Sequence, residues 1–347
     1  VESKEQFTIA IVAYGKYAQP GEYWFDDDWL RAELIQQGHY VDIIDWTLAG
    51  NLLNYDSIYI SSTWNFHHDP MRFLRWLKSC ESDGKRRLIN DSKLLQKGVS
   101  KYDYMSRLME HFPNQVTPTR FFPSSHISNP SSFFDKLSDD ETLSKWIKSN
   151  LDTDPLWEHQ DLVLKPACSA DGHMTYLYKR TNDERLVASW HQDKILTDDD
   201  QVDKAFTEIC GQFDNLGAML QIYQTGVEAG EYSLTFFDGL FSHAIRKPAG
   251  FRQDISGKRV YVPKLGLPSG MLDTADNMLN FMRKRYGEYA LTRVRTDFFV
   301  NKQSIVLSEF EFLEPNTNLK IVPLDERSEL IKRYADAIIA QTARLNE

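Results

Sequence analysis

A chain of 347 residues, 41% hydrophobic and 13% aromatic, carries enough apolar material for two or three cored domains, which excludes a disordered protein. Forty basic against fifty acidic residues leave a formal charge of -10, which excludes a broad nucleic-acid surface but allows a local cationic pocket. Cys80, Cys168 and Cys210 have no CxxC spacing, which excludes a zinc or disulfide framework and implies a reducing, cytoplasmic compartment.

No apolar run is long enough to span a membrane, and no secretory leader pattern opens the sequence. Residues 7–14 (FTIAIVAY) are a continuous apolar run, as in a strand covered on both faces. Gly15, Gly21 and the acids Asp26, Asp27 and Asp28 follow, then a helix pattern over 29–37 closed by Gly38. Strands are predicted over 40–45 and 57–61, and a helix over 70–80. This order predicts an α/β layer. No G-x-G-x-x-G follows the first strand, so a dinucleotide fingerprint is absent.

Residues 88–90 end another strand, and 93–112 read as mostly helical with Lys101 inside. A Ser/Pro/Asn-rich loop over 123–132 leads to a helix over 137–149 and a strand over 161–165. Residues 173–179 alternate weakly, 185–190 have strand character, and Asp198, Asp199 and Asp200 head a helix to Cys210. After a buried strand over 218–223, the runs 231–237 and 241–246 join through Asp238-Gly239, a strong hairpin signal. A Gly-rich interval over 250–270, a helix over 274–286 and a closing amphipathic helix over 324–345 complete the order.

Between the last two helices, residues 292–318 (TRVRTDFFVNKQSIVLSEFEFLEPNTN) form two adjoining strands and an exit loop. Side chains two apart on a strand share a face, so Glu309 and Glu311 point the same way, with Asp297 across the hairpin. Converging carboxylates suit Mg²⁺ or Mn²⁺. A solvated strand face with alternating Glu has the same pattern. The opposite face carries Ser308, Phe310 and Phe312, whose rings call for burial.

Lys165 ends an apolar strand and enters the small-residue loop PACSADG, which can set an ammonium and backbone N–H groups around phosphate oxygens. An ordinary turn beside a satisfied lysine reads alike, and this is not a P-loop. Cys168 has no neighbouring activator for a nucleophile. His243, Arg246, Lys247, Arg252 and Lys258 form a basic run, and Phe251-Arg252-Gln253 is either an anion clamp or a solvated loop. Asp27-Asp28 and Trp64-Asn65 follow strands where open α/β sheets take ligands, although a tryptophan there also fits core packing.

The order of these stretches resembles the ATP-grasp superfamily, most closely its stand-alone ligases related to the cycloserine-forming cyclo-ligase. Glutathione synthetase, D-alanine–D-alanine ligase and RimK-type ligases are more distant. FDDDWLRAEL, SSTWNF, SKYDYM and VLKPACSADG support it; EYSLTFFDGLFSHAIRKP with FRQ, and RTDFF with LSEFEFLEPN, are its most specific parts. The resemblance implies mixed α/β and α+β architecture in an ATP-grasp fold. An N-terminal parallel-sheet domain would span 1–95, a central subdomain 96–223, and a C-terminal subdomain with the metal site 224–347.

By that resemblance Lys101 and Lys165 would touch ATP phosphates with Ser169 beside them, Gln221 and Tyr223 would meet adenine, and Glu231 would face the ribose. Asp297, Glu309 and Glu311 would hold Mg²⁺, or Mn²⁺ in its place. Arg295 resembles the arginine beside the transferred phosphate and Arg252 an acyl-phosphate or carboxylate binder. Asp28, Trp64, Asn65 and Arg246 would line the substrate pocket. Two departures stand out: Glu309-Phe310-Glu311 replaces the common Glu-x-Asn, and Gln221 replaces the commoner hinge Glu.

The implied activity is ATP-dependent carboxylate–amine ligation through an acyl phosphate on a small amino-acid-like substrate. An intramolecular cyclo-ligase and a non-catalytic nucleotide-binding protein are the alternatives. The loop after Lys165 and the Gly-rich 250s are candidate lids against water. The expected partners are small carboxylates and amines, without nucleic acid or membrane. The sequence is compatible with either a monomer or a homo-oligomer.

Overall fold

The computed structural model describes residues 5–123, 135–138, 141–170, 172–181, 190, 192–212, 216–248, 259–287, 290–302 and 304–347. Strands β1 (Thr8–Ala13), β2 (Tyr40–Asp45) and β3 (Ser57–Ile60) form a parallel sheet in the order β2-β1-β3. Alternation divides the apolar run of β1 between two cores. Ile9, Ile11 and Ala13 pack with Leu30 and Leu34 of α1 (Phe25–Gln36) and with Tyr334 and Ile338 of α8 (Leu324–Asn346). Ala10 and Val12 pack with Phe73 and Leu77 of α2 (Pro70–Ser79) and Leu95 of α3 (Ser92–Val99).

Helix α1 starts at Phe25, earlier than expected, so the three aspartates form its first turn, where carboxylates favour the helix dipole. Asp69 caps α2 by accepting the Arg72 N–H at 2.9 Å, with Pro70 in the first turn. The expected helix over 93–112 is two helices, α3 and α4 (Lys101–His111), broken at Ser100, whose backbone is extended (φ -118°, ψ 127°). At the break the Lys101 N–H donates to the Ala167 carbonyl at 2.8 Å. Lys101 therefore opens a helix and is tied by its backbone to the loop after β5 (Leu162–Pro166). Gly98 lets the break approach the chain at 312–313: a Cβ there would lie 3.0 Å from Phe312 and 3.1 Å from Leu313.

A second sheet has the order β4-β8-β5-β6-β7, with β4 at Thr119–Phe122, β6 at Tyr176–Tyr178, β7 at Ile195–Leu196 and β8 at Ala218–Ile222. Helices α5 (Leu143–Asn150) and α6 (Asp199–Gln212) cover one face, joining Leu162, Leu164, Leu220 and Ile222 in one core. Strands β4 and β7 are too short to carry a clear sequence pattern. Helix α5 begins at Leu143 behind a Thr142 cap, later than the expected 137. Of the expected strand over 185–190, only Trp190 lies within the described residues.

The third sheet, in the order β11-β10-β9-β12-β13, comprises β9 (Glu231–Phe237), β10 (Leu240–Lys247), β11 (Val260–Val262), β12 (Arg293–Asn301) and β13 (Ser304–Glu311). Helices α4 and α7 (Met271–Tyr286) cover its apolar face, where Leu234, Phe236, Val294, Phe298, Phe310 and Phe312 are buried. The expected burial of the β13 aromatics holds.

Two β-bulges decide what the other face presents. Strands β9 and β10 pair Phe237 with Leu240 beside the turn, then shift by one at His243, so Lys247 stands opposite Glu231. Strands β12 and β13 pair Asn301 with Ser304, then shift at Ser308, so Asp297 faces Glu309 and Arg295 faces Glu311. Continued without the shift, the first register would set Asp297 opposite Ser308 and turn both glutamates toward the core. Among the described residues, no helix is long and apolar enough to cross a membrane.

Candidate active site

A cleft of about 600 Å³ opens between the second and third sheets, with Trp64 of the first layer at its edge. Lys165 reaches it from β5, Ser169 from the following loop, Gln221, Ile222 and Tyr223 from the end of β8, and Lys101 from the start of α4. The facing sheet contributes Glu231, Lys247, Arg295, Asp297, Glu309 and Glu311, and the loop after β13 adds Glu314, Asn316 and Asn318.

Asp297, Glu309 and Glu311 each bring a carboxylate oxygen to within 4.8 Å of the others. Three acids this close repel one another unless cations intervene. Arg295 lies 2.9 Å from Asp297 and 2.8 Å from Glu311, Lys101 lies 2.9 Å from Glu309, and Lys247 lies 3.0 Å from Asp297. Burial opposes charge on Asp297, but Arg295 and Lys247 overcome it and hold its carboxyl below the usual range. Burial likewise works against Glu309, which Lys101 and Lys165 keep low. Glu311 goes the other way: burial and the neighbouring acids Glu309, Glu314 and Asp297 outweigh Arg295 and raise it. This all-oxygen donor set with one reluctant member fits a divalent magnesium or manganese ion, which would relieve the repulsion directly.

Lys101 donates its ammonium to the Ser169 carbonyl at 2.8 Å as well as meeting Glu309. The Lys165 side chain makes no hydrogen bond or ion pair among the described residues, and burial lowers its pKa. An ammonium in the cleft that feels Glu309 and Glu231 but contacts neither is suited to a further anion. Beside it Val163, Ile222 and Val227 make an apolar wall, while Gln221 donates its amide to Thr119 Oγ1 at 2.9 Å. Glu231 is raised by burial and by Asp297, although Lys247 pairs with it.

Lys101, Lys165, Ser169, Gln221, Tyr223, Glu231, Arg295, the three metal-site acids and Trp64 thus meet in one cleft. Three other sequence candidates do not. Asp28 is exposed on α1, whereas its neighbours Asp26 and Asp27 are buried. Asn65 Oδ1 is occupied by the Trp46 indole N–H at 2.7 Å. Arg246 is exposed, donates to the Ala229 carbonyl and lies over the Tyr232 ring. Arg252 lies outside the described residues, as does Asp171.

Lys247 enters in place of Arg246 because the bulge in β10 changes the parity of the strand. Glu314, Asn316 and Asn318 carry no periodic signal, because they sit on an irregular loop. Their nearness to Glu-x-Glu is the only sequence cue.

Residues 9–90 match the family model described as the N-terminal domain of D-cycloserine synthetase DcsG. The chain superposes on the crystal structure of D-cycloserine synthetase DcsG with a TM-score of 0.72 at 20% identity, covering 97% of this chain and 99% of that one. The D-alanine–D-alanine ligase from Bacillus anthracis, complexed with ATP, gives 0.56 at 12% identity and covers 97% of each chain. A RimK domain ATP-grasp protein from Sphaerobacter thermophilus gives 0.55 at 10% identity, covering 96% of this chain and 99% of that one. No curated protein matches the sequence. At these identities the likeness is one of fold: the chain has the ATP-grasp fold.

Proposed function

We propose that, on this ATP-grasp fold, the chain is an ATP- and Mg²⁺-dependent ligase that activates a small amino-acid-like carboxylate as an acyl phosphate and transfers the acyl group to an amine. The meeting of Asp297, Glu309 and Glu311 with Arg295, beside the Lys101–Lys165 end of one cleft, carries this reading. The three acids would hold the divalent ion, which when bound supplies neutralisation of the phosphates during transfer.

Lys165 and Lys101 bind the triphosphate oxygens, with Ser169 beside them. The wall at Ile222 and Tyr223 takes the base beside Gln221, and Glu231 faces the ribose. Arg295 steadies the γ-phosphoryl group while a carboxylate oxygen attacks phosphorus and ADP leaves. Arg252 and the acceptor edge at Trp64 hold the acyl phosphate until the amine attacks its carbonyl carbon. The C–N bond forms and phosphate departs with the bonding electrons. Positioning and charge do this work, so no side-chain nucleophile is needed. Burial pushes the Cys168 thiol up to about 12, in keeping with an inert cysteine.

The likeness to D-cycloserine synthetase favours a second form of the same chemistry, in which carboxylate and amine belong to one molecule and a ring closes. The test is phosphate release from ATP with amino acids, dipeptides and small hydroxy acids, repeated with hydroxylamine to trap acyl phosphate as hydroxamate. The expected result is substrate-dependent, Mg²⁺-dependent hydroxamate. Turnover on one organic substrate selects ring closure, and a need for two selects intermolecular ligation. ATP binding without phosphate release across the panel would overturn the ligase reading in favour of a nucleotide-binding protein.

A further inference from the structure

The carboxylates of the cleft are not equally provided for. Asp297 meets Arg295 and Lys247, Glu309 meets Lys101, Glu311 meets Arg295, and Glu231 meets Lys247. Glu314 also lines the cleft and is only 8% exposed, yet its carboxylate has no hydrogen bond or ion pair among the described residues. A buried charge without a partner is costly enough that a protein retains it only where something else supplies the countercharge.

Its position is held from both sides. The Glu314 carbonyl accepts the Trp64 indole N–H at 3.0 Å, and two residues on the Asn316 carbonyl accepts Arg295 Nη1 at 3.2 Å. The unpartnered acid therefore stands between the acceptor edge of the cleft and the Arg295 end of the acid cluster. The nearby cations Lys101 and Arg295 are committed to other acids. Burial, reinforced by Glu309, pushes Glu314 up to about 7, while Lys101, Arg295 and Arg293 pull it back.

We propose that Glu314 seats the attacking amine, binding the primary ammonium of the substrate and taking the proton it must shed to become the neutral nucleophile. The proposal rests on the ligase reading and names the group that recognises its amine. The neutral amine donates its lone pair to the acyl carbon, the C–N bond forms, and the C–O bond to phosphate breaks with its electrons leaving on phosphate. The second proton on nitrogen goes to the departing phosphate, so the two protons of the ammonium end on Glu314 and on phosphate. Nothing in this sequence requires an oxidant or a further reactant. Glu314 and Lys165 then play matched parts, an unpaired anion for an ammonium and an unpaired cation for a phosphate.

The test uses ethylammonium as the amine probe and acetamide as its neutral control, followed by saturation-transfer NMR with and without ADP and Mg²⁺. The wild type should bind ethylammonium over acetamide. Glu314→Gln should weaken ethylammonium at least about tenfold, as expected for losing a charge-assisted hydrogen bond. Glu314→Asp should retain most of the binding, and ADP affinity should be the same in all three. Equal ethylammonium binding in the wild type and Glu314→Gln, or none in the wild type, overturns the proposal. So does a fall of several degrees in the Tm of Glu314→Gln, because a carboxylate without a protein partner leaves nothing to lose. Failure of ADP to bind the wild type counts against the ligase reading and leaves the amine measurement intact.

Discussion

Arg293 and Arg295 stand two residues apart on β12, point to the same face and are both buried, yet they keep different company. Arg293 donates to Ser61 Oγ at 3.1 Å, Tyr334 Oη at 2.9 Å and the Ile60 carbonyl at 3.2 Å, and packs over the Tyr59 ring. Asp27, which accepts the Ser61 hydroxyl at 2.5 Å, and Asp26 complete the charge balance. None of these partners is free to exchange. Arg295 is held by Asp297 and Glu311, acids of the proposed metal site, and it faces the cleft. The difference teaches that burial and charge alone do not mark a working residue. What marks it is a partner that a ligand can take over.

The largest effect that would sharpen this contrast falls on turnover. Glu309→Gln should lower the rate about 10³-fold or more, equivalent to about 4 kcal/mol of transition-state stabilisation. Unchanged ATP-dependent product formation would remove Glu309 from the metal site. Next, Arg293→Met should cost about 3 kcal/mol of folding stability, because it leaves Asp26 and Asp27 buried without their cation. Chemical denaturation measures this. A variant that keeps full stability but loses activity would erase the distinction between the two arginines.

The smallest effect is a pH dependence. Burial raises Asp27 to about 6, against the pull of Ser61, Ser62 and Arg293. An acid raised on folding binds its proton more tightly in the native state. Its contribution is therefore most favourable below about pH 4 and is lost as the pH climbs through about 6. Asp27→Asn lacks that slope. The stability difference between variant and wild type should move toward the variant by about 2 kcal/mol between pH 4 and pH 7. A difference that stays constant across this range contradicts the assignment.

Much of this was legible where a period of two governs the chain. The run at 7–14 and the Glu-x-Glu spacing both follow from alternation, and Phe310 and Phe312 are buried as their pattern requires. The acids converge on Asp297, however, only because one residue, Ser308, is inserted into the pairing. A bulge leaves no periodic signature in a single strand, so the pattern gave the face of Glu309 relative to Glu311 but not relative to Asp297. The same effect put Lys247 where Arg246 was expected. Asn65 and Asp28 were unreadable for another reason. One follows a strand in a tight turn and the other opens a helix, and which way such side chains point depends on tertiary neighbours such as Trp46.

Helix α8 gives the first layer a debt to the far end of the chain. Tyr334, Ala335 and Ile338 share a core with Ile9, Ile11, Val41 and Ile43, and Tyr334 joins Tyr59 and Arg293 in one buried knot. During synthesis the segment that matches a family model by itself, residues 9–90, emerges with one apolar face covered only by α1. It waits for nearly the whole remaining chain before that face is closed. Vectorial folding here is thus not a matter of finishing one layer and moving to the next: the sheet of β1, β2 and β3 is sealed only after the two sheets that follow it have been made.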